Sequence, residues 1–175
     1  MDWFVVDKNY ISYLLQFDKN VGFVDYGEKL KMHLGILLSF NSFDYYVPIS
    51  SAKPKHQKMS NSLDFHKIQD LESGYLYAVI NINNMIPVPA SCVKQLKYNN
   101  ISEFRSFVSE KEKTDYIYLL QKEKRIIDSC SMILKSKAEK LYKKIEQLPN
   151  SSLARRCCNF KLLEFKSIEY EKNRR

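Results

Sequence analysis

The sequence predicts an α+β fold, and three observations carry that prediction. Five or six short β-rich runs separated by turn residues fill the first hundred positions. A stretch without Gly or Pro and with apolar residues at intervals near 3 and 4 fills positions 102–148. Strands followed by helices, rather than strands alternating with helices, suggest α+β.

Each element has its own warrant. "WFVV", Trp3 to Val6, reads as a strand. "NYISYLLQF" places Tyr10, Leu14 and Phe17 at helical spacing. The runs Met32–Phe40 and Phe43–Ile49 flank Asn41-Ser42 and read as a hairpin, with Pro48 limiting its second strand. "YLYAVINI", Tyr75 to Ile82, reads as a buried strand closed by the turn residues Asn83-Asn84. "MIPVP" admits only a short or edge strand because of its prolines. In 102–148, Ser109 with Glu112 has capping-box spacing. The poor helix formers of "DSCS", 128–131, predict a break into two helices, and Pro149-Asn150 ends the region. The tail offers Phe160, Leu163, Phe165 and Ile168 for packing, and "KNRR" frays.

At 175 residues with 45% hydrophobic and 13% aromatic content, the chain reads as one globular domain, 1–175. No apolar run spans a bilayer and no secretory leader opens the chain, so the expectation is a cytoplasmic protein without a membrane partner. The four cysteines form no C-x-x-C pair, and His33, His56 and His66 lie far from them, so no zinc site is expected. His33, inside a strand, reads as a packed residue.

The net charge of +8 favours a polyanionic partner. Residues 1–100 are close to neutral at +1, while 101–175 carry +7 interleaved with Glu, as on a solvated helix surface. The dense cluster nevertheless lies in the first part. Ser50, Ser51, Lys53, Lys55, His56 and Lys58 follow the hydrophobic run, and no acid occurs between Tyr45 and Leu63. In extended backbone, residues two apart share a side, so Ser51 and Lys53 can address one anionic group across Ala52.

That pair suits RNA cleavage. The ribose supplies its own 2′-OH nucleophile, Ser51 donates to a non-bridging oxygen, and Lys53 offsets developing charge or gives a proton to the leaving 5′-oxygen. No carboxylate cluster stands here to hold a metal. Chance alone gives about 2 S-x-K tripeptides in a chain of this composition. Two occur, at Ser51 and Ser109, so the tripeptide is not evidence by itself. From the residues alone, catalysis and plain phosphate binding both stand. Tyr10, Tyr26, Tyr45 and Tyr46 are candidates for base stacking or for core packing, and His56 for a general acid or a phosphate contact. A non-catalytic RNA- or DNA-binding module would use the same basic loop, 51–58. A protein-docking role for the 102–148 helices is the third class.

Read in order, "NYISYLLQFD", "HLGILLSF", "YVPISSAK", "INNMIPVP" and "CCNFKLLE" resemble the RNA-antidoted endoribonuclease toxins of type III toxin–antitoxin systems, the ToxN/AbiQ family. The phage abortive-infection branch is nearest in look. The resemblance covers most of the chain. It implies a compact, strongly bent antiparallel sheet similar to the Kid/MazF toxins, with added helices. It implies cofactor-free, metal-independent cleavage leaving a 2′,3′-cyclic phosphate and a 5′-hydroxyl. It makes Ser51 and Lys53 catalytic, and Tyr10, Lys31, Ser50, Lys55, His56 and Lys58 RNA-binding. The implied partners are cellular or phage RNA as substrate and a repeated pseudoknot RNA as antitoxin. The toxin would process the antitoxin precursor and stay bound to it in a protein–RNA ring. Two positions depart from the family's pattern: Ser50 stands where Thr is frequent, and Glu123 where some relatives have Gln.

Overall fold

The computed structural model describes residues 1–22 and 33–174. Among the described residues, seven strands, β1 (Trp3–Val6), β2 (His33–Phe40), β3 (Phe43–Ser51), β4 (Phe65–Gln69), β5 (Leu76–Asn81), β6 (Ile86–Pro87) and β7 (Val93–Leu96), form an antiparallel sheet. Its order is β4-β5-β3-β2-β1-β7, with β6 paired to β3 off that path. The helices are α1 (Lys8–Leu15), α2 (Pro54–Gln57), α3 (Glu110–Ser129), α4 (Ser131–Gln147), α5 (Ser152–Arg155) and α6 (Phe160–Asn173). The α+β expectation holds, and none of these helices is long and apolar enough to cross a membrane.

Strand β3 organises the sheet, and its chemistry explains the curl. Tyr45 to Ile49 are all buried, the pattern of a strand covered on both faces. One edge of β3 bonds β6 at Tyr45 and Tyr46, then β5 from Ile49 to Ser51. Pro48, which has no N–H to donate, falls between the two pairings. It marks a change of neighbour rather than the strand's end, so β3 runs two residues beyond the predicted limit and carries Ser50 and Ser51 into the sheet. The β2–β3 turn places Asn41 at φ 47° and Ser42 at φ 67°, the paired positive φ of a turn whose twist matches the flanking strands. Position 35 has to be glycine: a Cβ there would lie 2.0 Å from the Phe4 ring.

Helix starts follow capping chemistry. Asp7 accepts from the Asn9 and Tyr10 amides at 2.7 and 3.3 Å, so α1 begins at Lys8 and stops before Phe17. Ser109 accepts from the Glu112 amide at 3.1 Å. The Glu112 carboxylate reaches back one residue past the cap, to the Val108 amide at 2.7 Å. The helical region therefore starts at Glu110 rather than 102, and it breaks at Cys130 as expected. Leu120 and Ile127 of α3, Leu134, Ala138 and Leu141 of α4, and Phe160 and Leu163 of α6 join one core with Val47, Ile49, Ile68 and Ile80 of the sheet. Tail residues Phe165 and Ile168 do not pack; they are exposed. Strands β4 and β7 escaped the sequence reading because "FHKIQ" and "VKQL" dilute their apolar residues with polar ones.

Candidate active site

A second, small cluster of Phe65, Leu76 and Val79 lies apart from the main core, with Ala52 packed against it. It anchors the segment after β3. Ser51 is paired with Ala78 of β5, and the Ala52 amide donates to the Tyr77 carbonyl at 3.4 Å. Lys53 continues extended, at φ −125° and ψ 157°, before Pro54 opens α2. Ser51 and Lys53 are both exposed on extended backbone, two residues apart.

His56 fixes the loop. Its amide donates to the Lys53 carbonyl at 2.8 Å, while its Nδ1 accepts from the Lys53 amide at 3.1 Å. The side chain is only 6% exposed, and its ring centre lies 5.8 Å from that of Phe65. Accepting at Nδ1 requires the neutral ring with its proton on Nε2. Burial first, then the charges of Lys55 and Lys53, lower the His56 pKa and favour that form. His56 therefore positions Lys53, and its ring is turned into the fold rather than displayed among the loop cations.

The remaining candidates divide sharply. Ser50 is partly buried, and its hydroxyl accepts from Asn81 Nδ2 at 3.1 Å. Lys55 and Lys58 are exposed beside it in sequence. Tyr10 is 0% exposed, and its hydroxyl donates to the Pro87 carbonyl at 2.6 Å. A ring closed in the core cannot stack a base, so Tyr10 is a structural residue here. Tyr45 and Tyr46 are buried likewise. Lys31 and Tyr26 lie outside the described residues. Glu123 is 5% exposed, buried on the same side of α3 as Leu120 and Ile127. Burial alone pushes its carboxyl up to about 7.

Several residues that hold the site were missed from the sequence. Lys67 of β4 donates to the Gln57 carbonyl at the end of α2, at 2.9 Å. Asp64 pairs with Arg156 at 2.6 Å and accepts from Ser62 at 2.8 Å. Burial raises the Asp64 pKa, but the Arg156 and Ser62 hydrogen bonds outweigh it and hold the carboxyl low. Arg156 lies far from Asp64 in the chain, and Lys67 reaches Gln57 across the loop between α2 and β4, so no local spacing announces either pairing. Among the described residues, no group of three His, Cys, Asp or Glu stands together to hold a metal ion. Cys157 and Cys158 are free and buried, and burial pushes Cys157 up to about 12, the state of an inert thiol.

His66, next to this support, gives a pH prediction. Burial first, then the Lys137 ammonium 3.1 Å from its Nδ1, lowers its pKa from 6.5 to about 4. The unfolded chain takes up this proton first on acidification, so the stability His66 contributes is present above pH 6.5 and lost as pH falls toward 4. Glu123 acts oppositely: its raised pKa adds stability below 4.5 that is lost as pH rises through 7. The difference in unfolding free energy between wild type and His66→Gln should therefore shrink from pH 7 to pH 4, by about 2 kcal/mol after allowing for partial exposure. Parallel urea titrations across that range check it, and a constant difference would count against it.

With the geometry in place, comparison with known proteins is decisive about kinship. The profile of the family described as Toxin ToxN, type III toxin–antitoxin system, matches residues 3–167. The chain belongs to the ToxN family. It is 28% identical to the endoribonuclease AbiQ of Lactococcus lactis subsp. lactis, over 97% of this chain and 89% of that protein. It is 27% identical to the endoribonuclease ToxN of Bacillus thuringiensis subsp. kurstaki, over 95% of this chain and 82% of that protein. A solved type III toxin structure, described as selectively inhibited by a non-coding RNA pseudoknot, superposes with a TM-score of 0.82 at 27% identity and covers 97% of both chains. The solved structure of AbiQ, described as a lactococcal anti-phage endoribonuclease, superposes with a TM-score of 0.80 at 25% identity and covers 98% of both. The curled sheet with its helical layer is thus the ToxN-family arrangement, and the hydroxyl–lysine loop lies inside the matched span.

Proposed function

We propose that this chain is an endoribonuclease toxin of a type III toxin–antitoxin system, acting as one unit over 1–175 in the cytoplasm. The observation that carries the reading is the exposed Ser51–Lys53 pair, held by the His56 clasp and the Phe65 cluster, in a chain of the ToxN family. The ribose 2′-oxygen attacks the adjacent phosphorus and loses its proton to solvent. Ser51 donates to a non-bridging oxygen. Lys53 offsets the charge of the phosphorane and gives a proton to the 5′-oxygen as the P–O5′ bond breaks. The products are a 2′,3′-cyclic phosphate and a 5′-hydroxyl, with no metal or other cofactor in any step. Ser50, Lys55, Lys58 and Lys31 bind the RNA backbone.

The substrate is cellular or phage RNA, and the inhibitor is a repeated pseudoknot RNA that the toxin trims from its precursor and retains in a closed protein–RNA ring. A role in phage abortive infection follows from that pairing. The supporting facts are the relatives' own descriptions: pseudoknot inhibition for one, and a processed non-coding RNA regulating a bacterial antiviral system for another.

Purified protein incubated with RNA in EDTA tests the reading. Cleavage with cyclic-phosphate ends should persist in the chelator. Activity lost in EDTA and restored by magnesium would defeat the metal-free mechanism, and RNA binding without cleavage would favour the non-catalytic module. Replacing Lys55 and Lys58 together with Ala should flatten the slope of log affinity against log salt by about 2, one per lost phosphate contact. An unchanged slope would remove both lysines from the RNA surface.

A further inference from the structure

The start of strand β5, with the residue before it, and helix α3 present a cluster of aromatic rings that the reaction scheme leaves unused. Tyr75 and Tyr77 meet edge to face with ring centres 4.6 Å apart. Tyr118, on α3, is joined to them by Lys122, whose ammonium lies 4.6 Å from the Tyr118 ring centre and 5.9 Å from that of Tyr77. Tyr75 is 61% exposed and Tyr118 56%, so two large rings are open to water beside the Lys122 cation. Tyrosines in a sheet protein are ordinarily spent on the core, as Tyr10, Tyr45 and Tyr142 are here. The cluster is also adjacent to the candidate site: the Tyr77 carbonyl accepts the Ala52 amide between Ser51 and Lys53, and Ala78 is the cross-strand partner of Ser51. Neighbouring strands lie about 4.8 Å apart. The cluster therefore lies on the strand next to Ser51, within a nucleotide or two's reach of a phosphate held there. The nearby acid Asp70 is engaged by its own turn, accepting from the amides of Glu72 and Ser73 and from the Ser73 hydroxyl.

We infer that Tyr75 and Tyr118, with Lys122 between strand and helix, form a stacking subsite for bases of single-stranded RNA flanking the scissile phosphate. The inference rests on the proposed cleavage site for its location. Every base has a π-face, so such a platform binds with little sequence preference, and the cation adds attraction for the phosphate between stacked bases. It complements the loop: lysines 55 and 58 hold backbone, and the tyrosines hold bases.

The test uses the full chain and a short 2′-O-methyl oligoadenylate, which lacks the nucleophile and cannot be cleaved. Stacking on exposed aromatics is worth about 1–3 kcal/mol per base, so Tyr75→Ala/Tyr118→Ala should weaken binding by about 10-fold or more. The same variant should bind an abasic oligonucleotide of equal length within about 2-fold of wild type, because phosphates alone remain to be read. Tyr75→Phe/Tyr118→Phe should bind the oligoadenylate like wild type and shows that the fold tolerates change there. Undiminished affinity of the alanine variant overturns the inference. Equal losses on the intact and abasic probes also overturn it, since the effect would then not involve bases. Failure of wild type to cleave unmodified RNA would instead defeat the proposed function and leave the binding comparison intact.

Discussion

Ser51→Ala is expected to abolish detectable RNA cleavage and growth inhibition while leaving RNA bound. Lys53→Ala should lower the cleavage rate by roughly 10²–10³-fold, the size of effect seen when one pre-organised donor to a developing oxyanion is removed. The reason for separating binding from cleavage is structural. Ser51 is exposed at the end of β3, whereas the Ser50 hydroxyl is already engaged by Asn81. Removing Ser51's oxygen deletes a contact to the reacting group without unpairing anything in the protein. Ser50→Ala leaves a partly buried amide of Asn81 short of an acceptor, so its cost falls on local stability. Single-turnover cleavage of a labelled transcript, with filter binding in parallel, resolves the two effects. Full activity in Ser51→Ala would remove this hydroxyl from the mechanism.

The second large effect concerns the fold that holds the site. Glu164 of α6 is buried, and one of its oxygens accepts from both Tyr45 of β3, at 2.7 Å, and Tyr142 of α4, at 2.6 Å. Lys161 lies 3.6 Å from the other oxygen. One carboxylate thus joins the central strand to two helices, and the Tyr142 ring stacks on Phe160 at 5.6 Å. Burial first, then the bond to Glu164, holds the Tyr45 hydroxyl far above its ordinary range, so it acts only as a donor. Glu164→Ala strands two buried hydroxyls and opens a cavity. The expected loss is about 3–5 kcal/mol, the range for removing one partner of a buried polar joint. For a chain of this size that is a fall in Tm of about 10 °C. Glu164→Gln keeps an oxygen able to accept both bonds and should lose only about 1 kcal/mol. Calorimetry on the two variants checks this, and a loss near 1 kcal/mol for the alanine would mean that water replaces the carboxylate.

The two effects mark the division between what chain pattern and what tertiary context decide. Local chemistry announced the elements that are self-sufficient. Asn41-Ser42 made the hairpin readable, Ser109 the start of α3, the poor formers around Cys130 the helix break, and the acid-free run the loop. The order of the family-like segments could suggest kinship because it is itself a linear property. Burial is not linear. Tyr10 sits on a helix of suitable pattern for either fate, and its burial comes from packing against Tyr170 of α6 and bonding Pro87 of β6, both distant in the chain. His56 looked like one more cation, until the tight turn after Pro54 brought its ring back to the Lys53 amide and made neutrality its useful state.

Local pattern was enough to locate the strands and helices of strong periodicity, the hydroxyl–lysine segment and the net positive charge that an RNA partner answers. Folding was needed to settle which tyrosines face water, which histidine is a clasp, and that Asn81 meets Ser50 and Arg156 meets Asp64 across long stretches of chain. The physical reason is range: capping, turn and periodicity signals act over a few residues, whereas desolvation and hydrogen-bond partnership depend on which surfaces the folded sheet brings together.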